Sequence, residues 1–152
     1  MRTKAGPNGR GGPGRRVCLV QQGTKKKGEA AELAFMLKAV SLGFGVAKPW
    51  GDSERYDFIL DSGTRLWRVQ VKSTSALHYG AYSVKAQRNS NGKSIAYKTG
   101  EIDFLIALIV PEDCWYVIPL KAILSHKNVR IYPEKDPRGW EYGKYREAWH
   151  LI

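Results

Sequence analysis

Residues 56–73 read YDFILDSGTRLWRVQVKS, and this stretch decides the fold. Residues 56–60 and 66–73 both combine aromatic, aliphatic and β-branched side chains in the pattern of a strand. Between them, residues 61–64 read DSGT, a sequence typical of a tight turn. The stretch therefore predicts a β-hairpin.

The second strand of this hairpin has two chemically different faces. Alternation places Trp67, Val69 and Val71 on one face and Arg68, Gln70 and Lys72 on the other. The apolar face belongs to the core, so Gln70 and Lys72 point together towards the opposite side. Asp57 opens the neighbouring strand, where the hairpin register brings it beside that pair. A carboxylate, an amide and an ammonium group are thus predicted to share a small volume.

A helix of about four turns is predicted upstream, over residues 24–42, and it ends at Gly43. The 3.6-residue period defines one main buried stripe, which consists of Ala30, Leu33, Ala34, Leu37 and Val40. Further apolar side chains fall outside that stripe, namely Phe35, Met36, Ala39 and Leu42. The helix is therefore expected to pack on a second surface as well.

Glu32 lies on the apolar side of this helix. Its same-face neighbours include Phe35 and Ala39, so it is not part of a charged face and needs a partner if covered. Glu29, one turn earlier, is the alternative to Glu32.

The remaining chain predicts more strands and a short helix. Residues 46–48 form a short extended piece, and residues 102–110 and 115–118 pair across a turn at 111–113. Residues 119–126 form a short helix begun by proline. The C-terminal aromatics are expected to cover one side of the sheet, and they are Trp140, Tyr142, Tyr145 and Trp149. This order predicts an α+β or mixed α/β sandwich.

Length and composition indicate one domain. The chain has 152 residues, 43% of them hydrophobic, and residues 17–152 form the predicted domain. Residues 1–16 are rich in Gly, Pro and Arg and are expected to form a flexible basic arm. No apolar run is long enough to span a bilayer and no secretory signal is present, so we expect a cytoplasmic protein. Cys18 and Cys114 match no zinc spacing and are expected to be reduced.

Charge points to a polyanionic partner. Lys and Arg total 25 against 14 Asp and Glu, which gives a net charge of +11. Eight of the basic residues lie in residues 1–27 without any acid. Residues 62–100 also contain no Asp or Glu but seven basic residues. The simpler interpretation of these basic residues is an ordinary solvated surface, and the more specific interpretation is a face that contacts phosphates.

The residue types around the hairpin fit metal-assisted hydrolysis. Hard divalent cations prefer carboxylate and carbonyl oxygens, and a lysine beside them can hold or deprotonate an attacking water. Glu32, Asp57, Gln70 and Lys72 supply that set. From residue types and spacing alone, an ordinary Gln and Lys on the polar face of an amphipathic strand are the commoner explanation.

The arrangement resembles the PD-(D/E)XK nuclease superfamily. The order is Lys27-Gly28 with Glu32 on a helix, then Tyr56-Asp57, then Gln70-Val71-Lys72. The separations of 25, 13 and two residues are similar to those of group I intron-encoded homing endonucleases of this fold and of archaeal Holliday junction resolvases. The resemblance covers residues 24–73, and more loosely residues 102–118 and the C-terminus.

The sequence departs from the superfamily pattern twice. Tyr56 replaces the proline of the motif, which affects only backbone preference. Gln70 replaces its second acid, which removes a negative charge but keeps an oxygen ligand. A Gln here is similar to the intron-encoded homing branch.

The resemblance implies a restriction-endonuclease-like core, a mixed β-sheet flanked by helices, that hydrolyses DNA with Mg²⁺, or Mn²⁺ as the alternative. It implies metal ligands at Asp57, Glu32, the Gln70 carbonyl and the Val71 backbone carbonyl. Lys72 would position or activate the water. Ser73, next along the strand, is more simply a strand-end hydroxyl.

Three functions remain open at this point. They are a sequence-specific double-strand endonuclease of homing or restriction type, a resolvase of branched DNA, and an inactive nucleic-acid-binding protein.

The expected DNA contacts are Lys25, Lys26, Lys27, Arg68, Lys85, Arg88, Lys93 and Lys98. Because one site cuts one strand, we expect a homodimer or a dimer of dimers. Phe35, Met36, Ala39 and Leu42, or the aromatic C-terminus, could form its interface.

Overall fold

The computed structural model describes residues 23–133 and 141–152. The basic arm of residues 1–16, Cys18 and Trp140 lie outside the described residues. One α-helix, α1 (Thr24–Ser41), precedes the strands. The strands are β1 (Gly45–Ala47), β2 (Phe58–Asp61), β3 (Leu66–Thr74), β4 (Leu77–His78), β5 (Ala81–Lys85), β6 (Gln87–Ser90), β7 (Lys93–Ala96), β8 (Phe104–Ile109), β9 (Cys114–Pro119) and β10 (Asn128–Ile131).

A five-stranded mixed sheet, in the order β1-β2-β3-β8-β9, forms the centre of the fold. Strands β3 and β8 are parallel, and the other neighbours in this sheet are antiparallel. A parallel pair needs a long crossover connection. Here the connection carries strands β4 to β7, which form part of a second sheet (β10-β5-β4) and a two-stranded ribbon (β6-β7). The α+β class and the predicted hairpin of β2 and β3 are confirmed.

Both faces of the central sheet are covered, which explains why every residue of β8 is buried. Helix α1 packs on one face, where Val69 and Val71 contact it as predicted. The second sheet covers the other face. Of the C-terminal aromatics, Tyr142 and Tyr145 join this second side, whereas Trp149 packs beside α1. The prediction that they all cover one side is therefore wrong, because the C-terminal segment passes from one face to the other.

Helix α1 has the predicted length but the opposite orientation. The buried positions are Ala31, Phe35 and Ala39, whereas Leu33, Leu37 and Val40 of the predicted stripe are 61–75% exposed. The aromatic ring of Phe35 decides this, because it packs against Phe58 and two tryptophans. Burial of a large ring outweighs burial of the aliphatic stripe.

The helix predicted over residues 119–126 is a single 3₁₀ turn, Leu120–Ala122. Within the described residues, no helix is long and apolar enough to cross a membrane. Cys114 is buried and free.

Candidate active site

The β2–β3 hairpin positions Asp57 beside Gln70. Phe58 pairs with Val69, so Asp57, one residue earlier, lies opposite Gln70. The Oδ2 atom of Asp57 accepts hydrogen bonds from Nε2 of Gln70 at 2.5 Å and from the backbone N–H of Val71 at 2.8 Å. The structure thus brings these residues together as the sequence predicted. Among the residues that the structure describes, none donates a hydrogen bond to the second carboxylate oxygen of Asp57.

Lys72 and Gln70 face one cleft of about 380 Å³. Gln70 is 7% exposed, a rare degree of burial for a polar residue, and its amide is used to hold Asp57. Burial raises the pKa of Asp57, and the charge of Glu32 adds to the rise. The Val71 hydrogen bond, the Lys72 charge and the Gln70 hydrogen bond oppose it. The carboxylate is therefore in an environment that favours a further positive charge.

Helix α1 brings Glu32 towards the same region. Glu32 is partly buried, and its Oε2 atom lies 2.6 Å from Nζ of Lys48, just after β1. The hydrogen bond to Glu32 raises the pKa of Lys48 against the opposing effect of burial, and the charges of Glu32, Asp57 and Glu29 add to the rise. Both Glu32 and Glu29 thus act on this region, but Glu32 makes the direct contact. No pattern in the sequence indicated Lys48, because only the packing of β1 beside α1 brings it there.

The oxygen atoms around Asp57 fit a hard divalent cation. Within residues 23–133 and 141–152, no group of three or more His, Cys, Asp and Glu side chains could hold a metal ion. Gln70 stands at the position of the second acid of the family motif. The candidate donors are two carboxylates, Glu32 and Asp57, together with the amide carbonyl of Gln70 and the backbone carbonyl of Val71. Oxygen ligands of these kinds are those that Mg²⁺ and Mn²⁺ prefer.

The β6–β7 ribbon forms one wall of the cleft. Asn89 pairs with Ser94 across the ribbon, so both lie on the same face as Gln87, and all three line the cleft. Arg88 is fixed by Glu101, with its Nε and Nη2 atoms 3.0 Å and 2.8 Å from Oε1 of the carboxylate. Glu101 also accepts a hydrogen bond from the Lys98 backbone N–H. The ribbon is therefore tied to the turn that precedes β8.

The predicted DNA contacts differ in their position relative to this cleft. Lys85 and Arg88 line it, and Lys25, Lys26, Lys27, Lys93 and Lys98 are exposed. Arg68 differs, because its guanidinium group is bound by Asp103 and by the carbonyl of Gly100. Its backbone N–H also donates to Asp103. These contacts give Arg68 a structural role between β3 and the start of β8, so we remove it from the proposed DNA contacts.

Sequence reasoning missed Tyr97, Glu101 and Asp103. The two acids are the first to follow the acid-free stretch of residues 62–100, and they pair with arginines from within it. Their position directly after the acid-free stretch could have identified them from the sequence. Tyr97 lines the cleft with Gln70 and Lys72, and no pattern in the sequence marks it.

Comparison with known proteins places this chain in a family. Residues 22–152 match the family model described as PD-(D/E)XK endonuclease. The chain belongs to the PD-(D/E)XK endonuclease family. A solved structure of the bacterial homing endonuclease I-Ssp6803I is similar, with a TM-score of 0.75 and 33% identity over 86% of this chain and 93% of that chain. Comparison with curated proteins gave no match.

These findings confirm the resemblance and the restriction-endonuclease-like fold that it implied. The protein is a nuclease of the endonuclease type. PD-(D/E)XK nucleases generally use divalent metal ions, and the oxygen donors around Asp57 agree with that requirement.

Proposed function

We propose that this protein is a Mg²⁺-dependent endonuclease that makes sequence-specific double-strand breaks in DNA, as homing and restriction enzymes do. The observation that carries the proposal is the geometry of Asp57, directly before β2, which is hydrogen-bonded to Gln70 on β3, while Gln70 and Lys72 line a cleft with basic side chains. The similarity to a homing endonuclease supports DNA as the substrate.

In the proposed reaction, Asp57 and Glu32 hold the cation, with the Gln70 and Val71 carbonyls as further ligands. A bound Mg²⁺ supplies Lewis-acid polarisation of the phosphate and lowers the pKa of a bound water. Lys72 orients the attacking water and neutralises the charge that develops on the phosphate oxygens. The amide N–H of Gln70 keeps Asp57 in place. Gln70 therefore has a positioning role, although it replaces the acid of the family motif.

We propose that the β6–β7 ribbon supplies sequence specificity. A two-stranded ribbon fits the major groove of DNA, where Asn and Gln side chains read adenine by paired hydrogen bonds. Gln87 and Asn89 lie on the face of the ribbon towards the cleft. Lys93 at the ribbon turn and Lys85 at the cleft are then placed to contact the phosphate backbone.

We also propose that the protein acts as a homodimer or a dimer of dimers, because one site cuts one strand. Of the helix residues predicted for the interface, Phe35 and Ala39 are fully buried in the monomer and cannot contribute, whereas Leu42 is 45% exposed. The exposed stripe of Leu33, Leu37 and Val40 replaces the two buried residues, because an apolar helix face of this kind is typical of an interface.

The test is incubation of supercoiled plasmid and genomic DNA with the protein, with and without Mg²⁺, followed by mapping of the ends. We expect metal-dependent linearisation with one recurrent sequence at the ends and a fixed stagger. Asp57→Asn and Lys72→Ala should each lower the cleavage rate about 10²- to 10⁴-fold, while Lys121→Ala, an exposed lysine elsewhere, should cleave normally. Cleavage of branched DNA alone would instead identify a resolvase, and binding without cleavage would identify an inactive binding protein.

A further inference from the structure

Tyr97 is an enclosed side chain with its polar end at the cleft. The residue is 4% exposed and packs with the core on the second face of the central sheet. It also lines the cleft that Gln70 and Lys72 face. The ring is therefore held by the core, at a position where the residue also forms part of the cleft wall.

The Tyr97 hydroxyl has no hydrogen-bond partner within residues 23–133 and 141–152. Among those residues, Nη1 of Arg88 is the only fully enclosed side-chain nitrogen or oxygen atom without a partner, so the hydroxyl is accessible from the cleft. A tyrosine hydroxyl at a buried position normally finds a partner. The partner of Tyr97 is thus expected to enter from the cleft.

The surroundings keep this hydroxyl in its donor form. Burial raises the pKa of Tyr97, and the charges of Asp57 and Glu101 add to the rise, while the charge of Arg88 opposes it. A neutral phenol can donate to an anion. Lys85, exposed on the same cleft wall, adds an ammonium group. A set of donors with positive charge matches a phosphate, which offers only acceptor oxygens.

We propose that Tyr97 is a substrate-binding residue whose hydroxyl donates a hydrogen bond to the DNA backbone phosphate next to the scissile one, with Lys85 beside it. Lys72 faces the scissile phosphate, and Tyr97 holds its neighbour, which fixes the strand along the cleft. The inference rests on the proposed function, because it takes DNA as the ligand of this cleft.

The first test measures binding by Tyr97→Phe, which removes only the hydroxyl. The probe is a labelled synthetic duplex with the sequence at which the wild-type protein cuts plasmid DNA, in the absence of divalent metal. A hydrogen bond to a charged group is worth about ten- to a hundredfold in affinity, so we expect a loss of that order. Because the hydroxyl is neutral, the salt dependence should not change, whereas Lys85→Gln should reduce the slope by about one.

The matched control is Tyr79→Phe, since Tyr79 is 98% exposed in the turn between β4 and β5. It should bind as the wild type does, and thermal melting should show all variants folded. Equal affinity of Tyr97→Phe and the wild type would overturn the inference. An equal loss in Tyr79→Phe would also overturn it, because the effect would then not belong to the cleft.

The second test locates the contact. Single uncharged methylphosphonate linkages are placed at each phosphate around the cleavage position, and binding is compared for the wild type and Tyr97→Phe. We expect one position, next to the scissile phosphate, where the modification weakens the wild type but costs Tyr97→Phe much less. Equal penalties at every position would overturn the inference.

Failure of the proposed function is recognised separately. If the wild type cuts no plasmid, a mixed-sequence duplex still tests whether Tyr97→Phe weakens binding at an unchanged salt slope. If the wild type cuts and Tyr97→Phe binds normally, the nuclease stands and the role of Tyr97 fails.

Discussion

The Nζ atom of Lys48 lies 2.6 Å from the Oε2 atom of Glu32, at a place where Asp57 also acts on the lysine. The ammonium group compensates two carboxylates that otherwise repel each other. A divalent cation bound by Glu32 and Asp57 would share this space with a positive charge, so Lys48 is expected to oppose its binding.

Lys48→Met should therefore tighten metal binding, because it removes the competing charge and keeps the chain length. We expect about a tenfold lower dissociation constant for Mn²⁺, measured by titration calorimetry without DNA. Lys121→Met, at an exposed position away from the carboxylates, is the control. Unchanged Mn²⁺ affinity would contradict this prediction, because the Lys48 side chain would then move away from the cation without a cost in free energy.

Glu32→Gln should slow cleavage about 10²- to 10³-fold, whereas Glu29→Gln should have only a small effect. The reason is that Glu32 makes the direct contact and is partly buried, while Glu29 is exposed and acts only through its charge. Single-turnover plasmid cleavage measures both. The reverse order would assign the metal-binding role to Glu29.

Gln70→Glu restores the acid of the family motif and should destabilise the metal-free protein. The new carboxylate would be buried beside Asp57, where the present amide donates to Oδ2 at 2.5 Å. We expect the free energy of unfolding to fall by about 1–3 kcal/mol in EDTA and to recover in Mg²⁺. Thermal melts in both buffers measure it, with Gln87→Glu on the cleft wall as control. A melting temperature that does not respond to Mg²⁺ would argue against a cation at Asp57.

Glu147 is predicted to stabilise the fold in a pH-dependent manner. Its carboxylate accepts from the Trp115 backbone N–H and from Nε1 of Trp149, and it pairs with Lys38 at 3.0 Å. Burial acts to raise the pKa of Glu147, but these three contacts together lower it below the ordinary value of 4.5. Because the folded-state pKa is depressed, the stabilisation is complete above about pH 4.5 and disappears as the pH falls through the folded-state value.

Glu147→Gln should accordingly lower the melting temperature at neutral pH, and the difference from the wild type should shrink in acid. Glu29→Gln, which changes an exposed carboxylate, is the control. A difference that stays constant from neutral to acidic pH would show that the contacts do not depend on the charge.

The two faces of α1 should respond differently to substitution. Phe35→Ala should cost about 3–5 kcal/mol, because it leaves a cavity beneath the helix. The double substitution of Leu33 and Leu37 by Ser should leave the monomer folded but lower its association, which sedimentation velocity measures. Unchanged association would exclude this face as the interface.

Much of the site was predictable because it depends on local pairing. Once residues 56–73 form a hairpin, the alternation of β3 and the register with β2 bring Asp57, Gln70 and Lys72 together whatever surrounds them. The helix and the position of Glu32 on its apolar side followed from the 3.6-residue period in the same way.

The orientation of α1 and the wall of the cleft depended on packing between distant segments. The sequence offered two apolar helix faces, and the aromatic rings of Phe58, Trp115 and Trp149 selected the one that carries Phe35. The ribbon that ends near Tyr97 lies in a crossover whose course is set by the parallel pairing of β3 with β8. Lys48 reaches Glu32 only because β1 packs beside α1. The sequence by itself determined the hairpin, the family motif and the basic charge, which are local properties. The tertiary structure alone decided which residues of different helices and strands come into contact, because the free energy of burial sums over contacts from the whole chain and has no local pattern.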